Sequence, residues 1–370
     1  MCIEGSGVRI LVGFTMLSTL LLLGFLGCRG SSTPEAPPRA AIGVLVPRTG
    51  PDAEVGEAAV RGVQLAAGTE ADVVVQDDVV AGGRDALLAD ERVIGAVAHV
   101  GRGTAEREAD AWRASALPVV IAAPGALDGL PRVVPPLPDA ARCAAALVEG
   151  GFQLRLDNGE TSAVAAQALY DATREAIDME IVDGSQAALQ AAKLAKLHAD
   201  AEALRKKKET PIGVVWVGDP KAGGSFLRVL RQVGDTAPFF AVGGYDPGFL
   251  VAAGDAADGA RVSALGRPAR DASFVDAYTR RFGTPPTAVA VNSYEAAQLL
   301  LAAWRAAAGS GQTLTRDAVR DQLRRVEARG ASGPVHIDER GVASPVLCAS
   351  FVVRDGKFEL ERISEPPAPG

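Results

Sequence analysis

The chain has 370 residues, enough for two domains of ordinary size, each with a buried core. A formal net charge of −7 excludes general nucleic-acid binding, which needs a basic surface, and selects no other partner. Aromatics are only 5% of the residues, so the expectation is of cores packed from Ala, Val and Leu rather than large rings.

Residues 1–28 read as a secretory signal. Arg9 precedes the apolar run Ile10–Phe25, and Leu26-Gly27-Cys28 leads into a polar, proline-bearing stretch. Cys28 after Leu-Gly resembles the lipobox of bacterial lipoproteins, in which that cysteine carries the lipid. Phe25 and Leu26 depart from the usual lipobox residues. The alternative is an uncleaved membrane anchor, because about 18 apolar residues just span a bilayer. Both readings put the body of the protein outside the cytoplasm, tethered to a membrane. Residues 29–40 cannot build a core and read as a flexible linker.

Ile42–Val46 is a β-branched apolar run, followed by a Gly/Pro loop and, from about Ala53, a helical spacing that puts Val60 and Val63 on one face. Strands are predicted next at Asp72–Gln76, Val93–Ala98 and Pro118–Ala122, with helices at Arg84–Asp90 and Ala105–Ser115. Four β–α repeats with short loops predict a parallel, doubly wound α/β sheet. Three prolines in Arg132–Pro138 then predict an extended crossover.

A second α/β layer begins with a helix at Asp139–Gly150. Strands are predicted at Phe152–Leu156, Met179–Val182, Ile212–Val217, Pro238–Val242 and Val262–Leu265. Between them fall helices at Ala163–Ala176, Gln186–Lys208 and Ser225–Val233, the long one with a buried stripe of Leu194, Leu197, Ala201 and Leu204. Helices at Ala272–Phe282, Tyr294–Ala308 and Arg316–Ala328 follow, then a turn-rich crossing at Gly333–Gly341. Leu347–Val353 and Lys357–Glu361 read as a hairpin around the Asp355-Gly356 turn signal, and residues 363–370 as a disordered tail.

Several segments, in this order, resemble the leucine-binding family of bacterial periplasmic binding proteins. They are IGVLVPRTGPDAEVGEAAVRG, RVIGAVAHVGRGT, LPVVIAAPGA, FVDAYTRRFGTPPTAVAVNSYEAAQLLLAA and SGPVHIDERG, spread from Ala41 to about Glu361. The resemblance implies a type I periplasmic binding fold, two α/β lobes joined by three crossings. Residues 41–134 and 267–332 would form one lobe, residues 135–266 and 333–362 the other. It also implies a monomeric, cofactor-free and metal-free binding protein in the periplasm. Such a protein closes on a small polar molecule (amino-acid-like, an amide or an organic acid) and hands it to the membrane permease of an ABC importer. The alternative is a lipoprotein that keeps the fold, has lost its ligand and serves as a protein-interaction or regulatory module of the cell envelope.

Carried over residue by residue, the resemblance points to Arg102, Gly103 and Thr104 on one loop of the first lobe and Gly125, Ala126 and Leu127 on the next. Gly103 stands where the family has a ligand-binding Ser, and Leu127 where it has a Thr. Val55 replaces an aromatic. The second lobe offers Glu160, Asp219 (in place of a Tyr), Tyr245 and Asp246. Arg102 is either an anion clamp or a solvated rim residue. Asp219 and Asp246 are either ammonium partners or helix caps. His99, at a strand end, reads as a packed imidazole.

No enzyme signature is present. Gly101-Arg102-Gly103 imitates a dinucleotide loop, but Glu106 occupies the third glycine position. Asp77-Asp78 point apart on a strand end, and Lys206–Lys208 suit a helix C-terminus. Cys143 and Cys348 either pair in an oxidising compartment or are two small buried residues.

Overall fold

The computed structural model describes residues 39–50, 52–98, 110–123, 129–148, 151–173, 176–204, 212–311 and 313–364. From Arg39 onward the chain forms one unit. Strands β1 (Ala41–Val46), β2 (Asp72–Asp77), β3 (Val93–Ala98) and β4 (Val119–Ile121) run parallel in the order β2-β1-β3-β4. β1 and β3 are buried at every residue, which is why they read as unbroken apolar runs rather than alternating ones. Helices α1 (Ala53–Ala67) and α2 (Gly83–Ala89) connect them.

After helix α3 (Leu137–Ala145), strands β5 (Phe152–Leu156), β6 (Ala176–Ile181), β7 (Gly213–Val217), β8 (Phe239–Val242) and β9 (Arg261–Ser263) build a second parallel array. Helices α4 (Glu160–Thr173), α5 (Ala187–Leu204), α6 (Pro220–Gln232) and α7 (Pro247–Ala253) connect its strands. The chain then returns to the first core with α8 (Ala272–Phe282), α9 (Ala288–Gly309) and α10 (Arg316–Leu323). A small antiparallel sheet follows, of β10 (Glu327–Gly330), β11 (Gly333–Ile337) and β12 (Ala343–Ser344). The final hairpin, β13 (Cys348–Arg354) and β14 (Lys357–Ser364), turns at Asp355 and Gly356, both at positive φ, and closes a seven-stranded sheet, β14-β13-β9-β8-β7-β5-β6.

α9 is the first core's spine. Leu299, Leu300, Leu301 and Ala303 are buried on it, and Thr287 caps it by accepting the Ala290 N–H. α1 crosses it closely at Gly62, where a Cβ would sit 2.2 Å from the Ala290 carbonyl oxygen. That close approach ties the stretch after the first strand to the late helices.

The structure corrects several expectations. α9 starts at Ala288, six residues before the predicted Tyr294, because Thr287 supplies the cap. α10 ends at Leu323 and residues 327–330 form a strand instead, since β11 offers them an antiparallel partner. Gly333–Gly341 is accordingly half strand rather than open crossing. On α5 the buried residues are Gln190, Ala191, Leu194 and His198, while Leu197 is exposed. The stripe rotates because His198 finds Asp235 and Gln153 beneath it, at 2.8 and 2.7 Å. Large rings also return: Trp216, Phe226, Phe239, Phe249 and Phe351 pack together in one cluster around the second sheet.

The chain passes between the two cores three times. Val133 and Val134 pack in the first core, Ala141 and Cys143 in the second. Val262 belongs to the second core, while Leu265 lies against the first. Val335, Ile337 and Ala343 belong to the first core, while Val346 and Cys348 pack against the second. Arg267, almost fully buried, holds two passages together. It donates to the carbonyls of Pro334 and Pro345 and pairs with buried Glu295, Nε to Oε2 3.1 Å. Burial pushes the Glu295 carboxyl up, and Arg267 and Ser332 pull against it. Cys143 and Cys348 form a disulfide with a Cα–Cα distance of 5.0 Å, linking the stretches just beyond the first and third passages.

Candidate functional site

Ligands of open parallel sheets bind beyond the carboxyl ends of the strands. In the first sheet those ends lead to the α1 N-terminus, where Glu54 is exposed and Val55 half-buried. Arg102, Gly103 and Thr104 after β3, and Gly125, Ala126 and Leu127 after β4, lie outside the described residues, as do His99 and Cys28. The first-sheet wall is therefore described at the α1 start and at the β1 and β2 ends, where Asp77 accepts the Arg48 N–H and the Thr49 hydroxyl, both at 3.1 Å.

In the second sheet, three neighbouring strands end in an aspartate. Asp157 follows β5, Asp219 follows β7 and Asp246 follows β8. Asp157 accepts the Gly159 N–H at 2.9 Å and the Asp219 N–H at 2.5 Å. Gly218 makes this second contact possible: its φ is +148°, and a Cβ would sit 2.5 Å from Asp157 Oδ2. Asp219 caps α6 by accepting the Ala222 N–H at 2.9 Å, and its carbonyl takes the Trp216 indole N–H. Asp246 caps α7 through the Gly248 N–H at 2.6 Å. Glu160 is the first residue of α4.

Electrostatics join the two walls at Asp246. Burial pushes its carboxyl above the ordinary range, and the Gly248 N–H and Lys221 oppose that rise. The carboxylates of Asp219, on the same sheet, and Glu54, on α1, push it further up. The α1 end of one sheet and the aspartate row of the other are thus within electrostatic reach. Lys221 lies over Gly248, with its stem where a Cβ on that glycine would be. Among the described residues, Asp246 is thus influenced by Asp219, Glu54 and Lys221.

Tyr245 turns away from that row. Its ring stacks on Phe351, centroids 4.0 Å apart and 17° from parallel, and tilts against Phe358 at 5.0 Å. Burial pushes its hydroxyl above the usual phenol range. Of the sequence-derived candidates, Val55, Asp219 and Asp246 stand at described strand ends or helix starts, and Tyr245 is packed against the terminal hairpin. Sequence reasoning missed Glu54, Asp157 and Lys221. The signal for Asp157 was present, because LRLD, WVGD and VGGYD repeat the same strand-then-aspartate pattern.

A family model described as periplasmic binding protein matches residues 40–353, and the chain belongs to that family. Its members are extracytoplasmic binding proteins rather than enzymes, and the two parallel sheets with three passages between them are their type I fold. A leucine binding protein, LivK, from Thermotoga maritima superposes with a TM-score of 0.69 at 21% identity, covering 88% of this chain and 99% of that one. A solute binding protein of an ABC transporter from R. palustris, in complex with benzoate, gives 0.68 at 17%, covering 89% and 97%. A branched-chain amino acid transporter substrate binding protein, LivJ, from Streptococcus pneumoniae, in complex with isoleucine, gives 0.68 at 18%, covering 89% and 100%. A search of curated protein sequences finds no match.

Proposed function

We propose that the protein captures a small polar molecule, amino-acid-like, an amide or an organic acid, between its two lobes and delivers it to an ABC importer. In this reading it works as a monomer held at the membrane by a lipid on Cys28. The observation that carries it is the row of aspartates after the neighbouring strands β5, β7 and β8, since carboxylates gathered at the carboxyl ends of a parallel sheet suit the ammonium or amide end of a ligand. The loops carrying Arg102, Gly103, Thr104, Gly125, Ala126 and Leu127 would hold the opposite end. Binding would draw the open–closed population toward the closed form. Solved relatives whose ligands include isoleucine and benzoate support both ligand chemistries.

One observation favours the alternative of a ligand-less interaction module. Tyr245 is committed to Phe351 and Phe358, and Asp219 and Asp246 both serve as helix caps, so none of the three stands idle awaiting a ligand. A thermal-shift screen separates the readings, using purified chain refolded to strip carried ligand and a panel of amino acids, amides and aromatic and aliphatic acids. A ligand at about a hundred times its Kd stabilises by about 2.7 kcal/mol, a shift of a few degrees. A hit supports solute capture, and silence across the panel from a folded sample supports the interaction module.

A further inference from the structure

Four strands form the edges of the two large sheets. β4 has three residues, β2 is half-buried throughout, and β14 carries Lys357, Glu359, Glu361 and Arg362 along its length. Short, covered or charged edges are the usual protection against pairing with another chain. β6 lacks it on one face. Every residue from Ile177 to Ile181 is exposed, with Ile177 at 54%, Met179 at 45% and Ile181 at 50%. The register sets Met179 beside Leu154 and Ile181 beside Leu156, so this stripe continues the apolar face of β5 past the edge of its cover.

The opposite face of β6 is acidic. Asp178 and Glu180 reach Arg155, Nη1 at 2.7 Å and Nη2 at 3.5 Å, yet both side chains stay nearly half exposed. Residues 171–192 hold five carboxylates and one cation, a net −4 within a chain of net −7. Val182 N–H donates to Leu156, which turns the even-numbered amides toward β5 and the amides of Met179 and Ile181, beyond the register shift at Ile177, outward. Gln190 Nε2 occupies the Ile181 carbonyl at 3.0 Å, and no other hydrogen bond engages the outward row among the described residues.

We propose that β6 is a docking edge for an extended segment of a partner protein in which apolar and basic residues alternate. The added strand pairs with the outward amides, lays its apolar side chains beside Ile177, Met179 and Ile181, and sets its cations beside Asp178 and Glu180. A second copy of this chain fits less well, because β6 against β6 brings Asp178 and Glu180 onto their own counterparts. The surface belongs to the outer edge of the second sheet, away from the strand ends that form the solute site.

The test uses the full chain in detergent and a fluorescent peptide alternating lysine with isoleucine and valine. Controls are a glutamate version of the peptide and a version with prolines at alternate positions. By anisotropy the lysine peptide binds at least about tenfold tighter than either control, and weakens as salt rises from about 50 to about 300 mM. Met179→Lys lowers that affinity about tenfold with an unchanged unfolding midpoint. Asp178→Asn with Glu180→Gln removes the preference for lysine over glutamate and spares the apolar contribution. Equal binding of all three peptides, or binding indifferent to Met179→Lys, overturns the proposal. So does concentration-dependent self-association that Met179→Lys abolishes, which assigns the edge to a second copy.

Discussion

Two sheets of the same β–α alternation are held together here by different means. Between the first sheet and α9 the core is aliphatic: Ile42, Val44, Val97 and Val120 meet Leu299 and Leu300, Gly62 lets two helices approach almost backbone to backbone, and the rings of Phe274, Tyr278 and Tyr294 gather apart from the sheet. Around the second, aromatic rings fill the core, a disulfide closes it, and a polar layer lies under α5. There Gln153, Arg155, His198 and Asp235 are all buried, and each finds partners on neighbouring elements. An aliphatic core depends on fit alone, whereas a polar layer depends on protonation and a disulfide on redox state. The second half should therefore respond to reductant more strongly than the first.

The largest test of that contrast is the disulfide. It closes a loop with a sequence separation of 205, for which chain entropy gives a loss of about 5 kcal/mol on reduction. Denaturant unfolding with and without reductant measures it, and the loss should appear in the aromatic near-ultraviolet signal of the second core. Next comes the buried pair between the cores. Glu295→Gln leaves Arg267 without its counter-charge and should cost about 3 kcal/mol by equilibrium unfolding.

His198→Ala tests the polar layer. Burial alone would raise Asp235, but hydrogen bonds from His198 and the Ala237 N–H outweigh it and hold the carboxyl below its ordinary range. A lowered carboxyl contributes stability above the unfolded value, about 3.9, and loses it as pH falls through the folded value. His198→Ala should cost about 1–3 kcal/mol at neutral pH and flatten the acid limb of the stability profile. The smallest effect is Asp246→Asn. Asparagine caps a helix about as well, so the change should stay within about 1 kcal/mol. Because Asp246 is raised, its contribution is present below the unfolded value and lost as pH rises through the folded one. The variant should therefore be the more stable protein at neutral pH and the weaker binder of an ammonium-bearing solute, read by calorimetry.

Most of the fold was legible because strand and helix periods alternate cleanly and the turn residues agree with them. Ile42–Val46, Val93–Ala98 and the Asp355-Gly356 hairpin are local signals that the structure repeats with little change. What escaped depends on partners distant in sequence. Residues 327–330 pair only because β11 returns beside them, and His198 turns inward only because Asp235 and Gln153 lie 37 and 45 residues away. The candidate site reads from the sequence as a set of loops, of which the structure describes those at Val55, Asp219 and Tyr245-Asp246. The caps at Asp219 and Asp246 are local, each an aspartate before a proline that opens a helix, whereas the packing of Tyr245 on the hairpin follows from three-dimensional neighbours that no spacing encodes.

The central claim, closure of the two lobes on a solute, is tested most directly by the distance between spin labels on Val79, at the end of β2, and Val251, on α7. Both side chains are well exposed, so labels there disturb neither core. The account predicts a shorter, narrower distance distribution when a solute from the thermal screen is added, and loss of that shift in the Asp246→Asn protein. An unchanged distribution with solute demonstrably bound would contradict it.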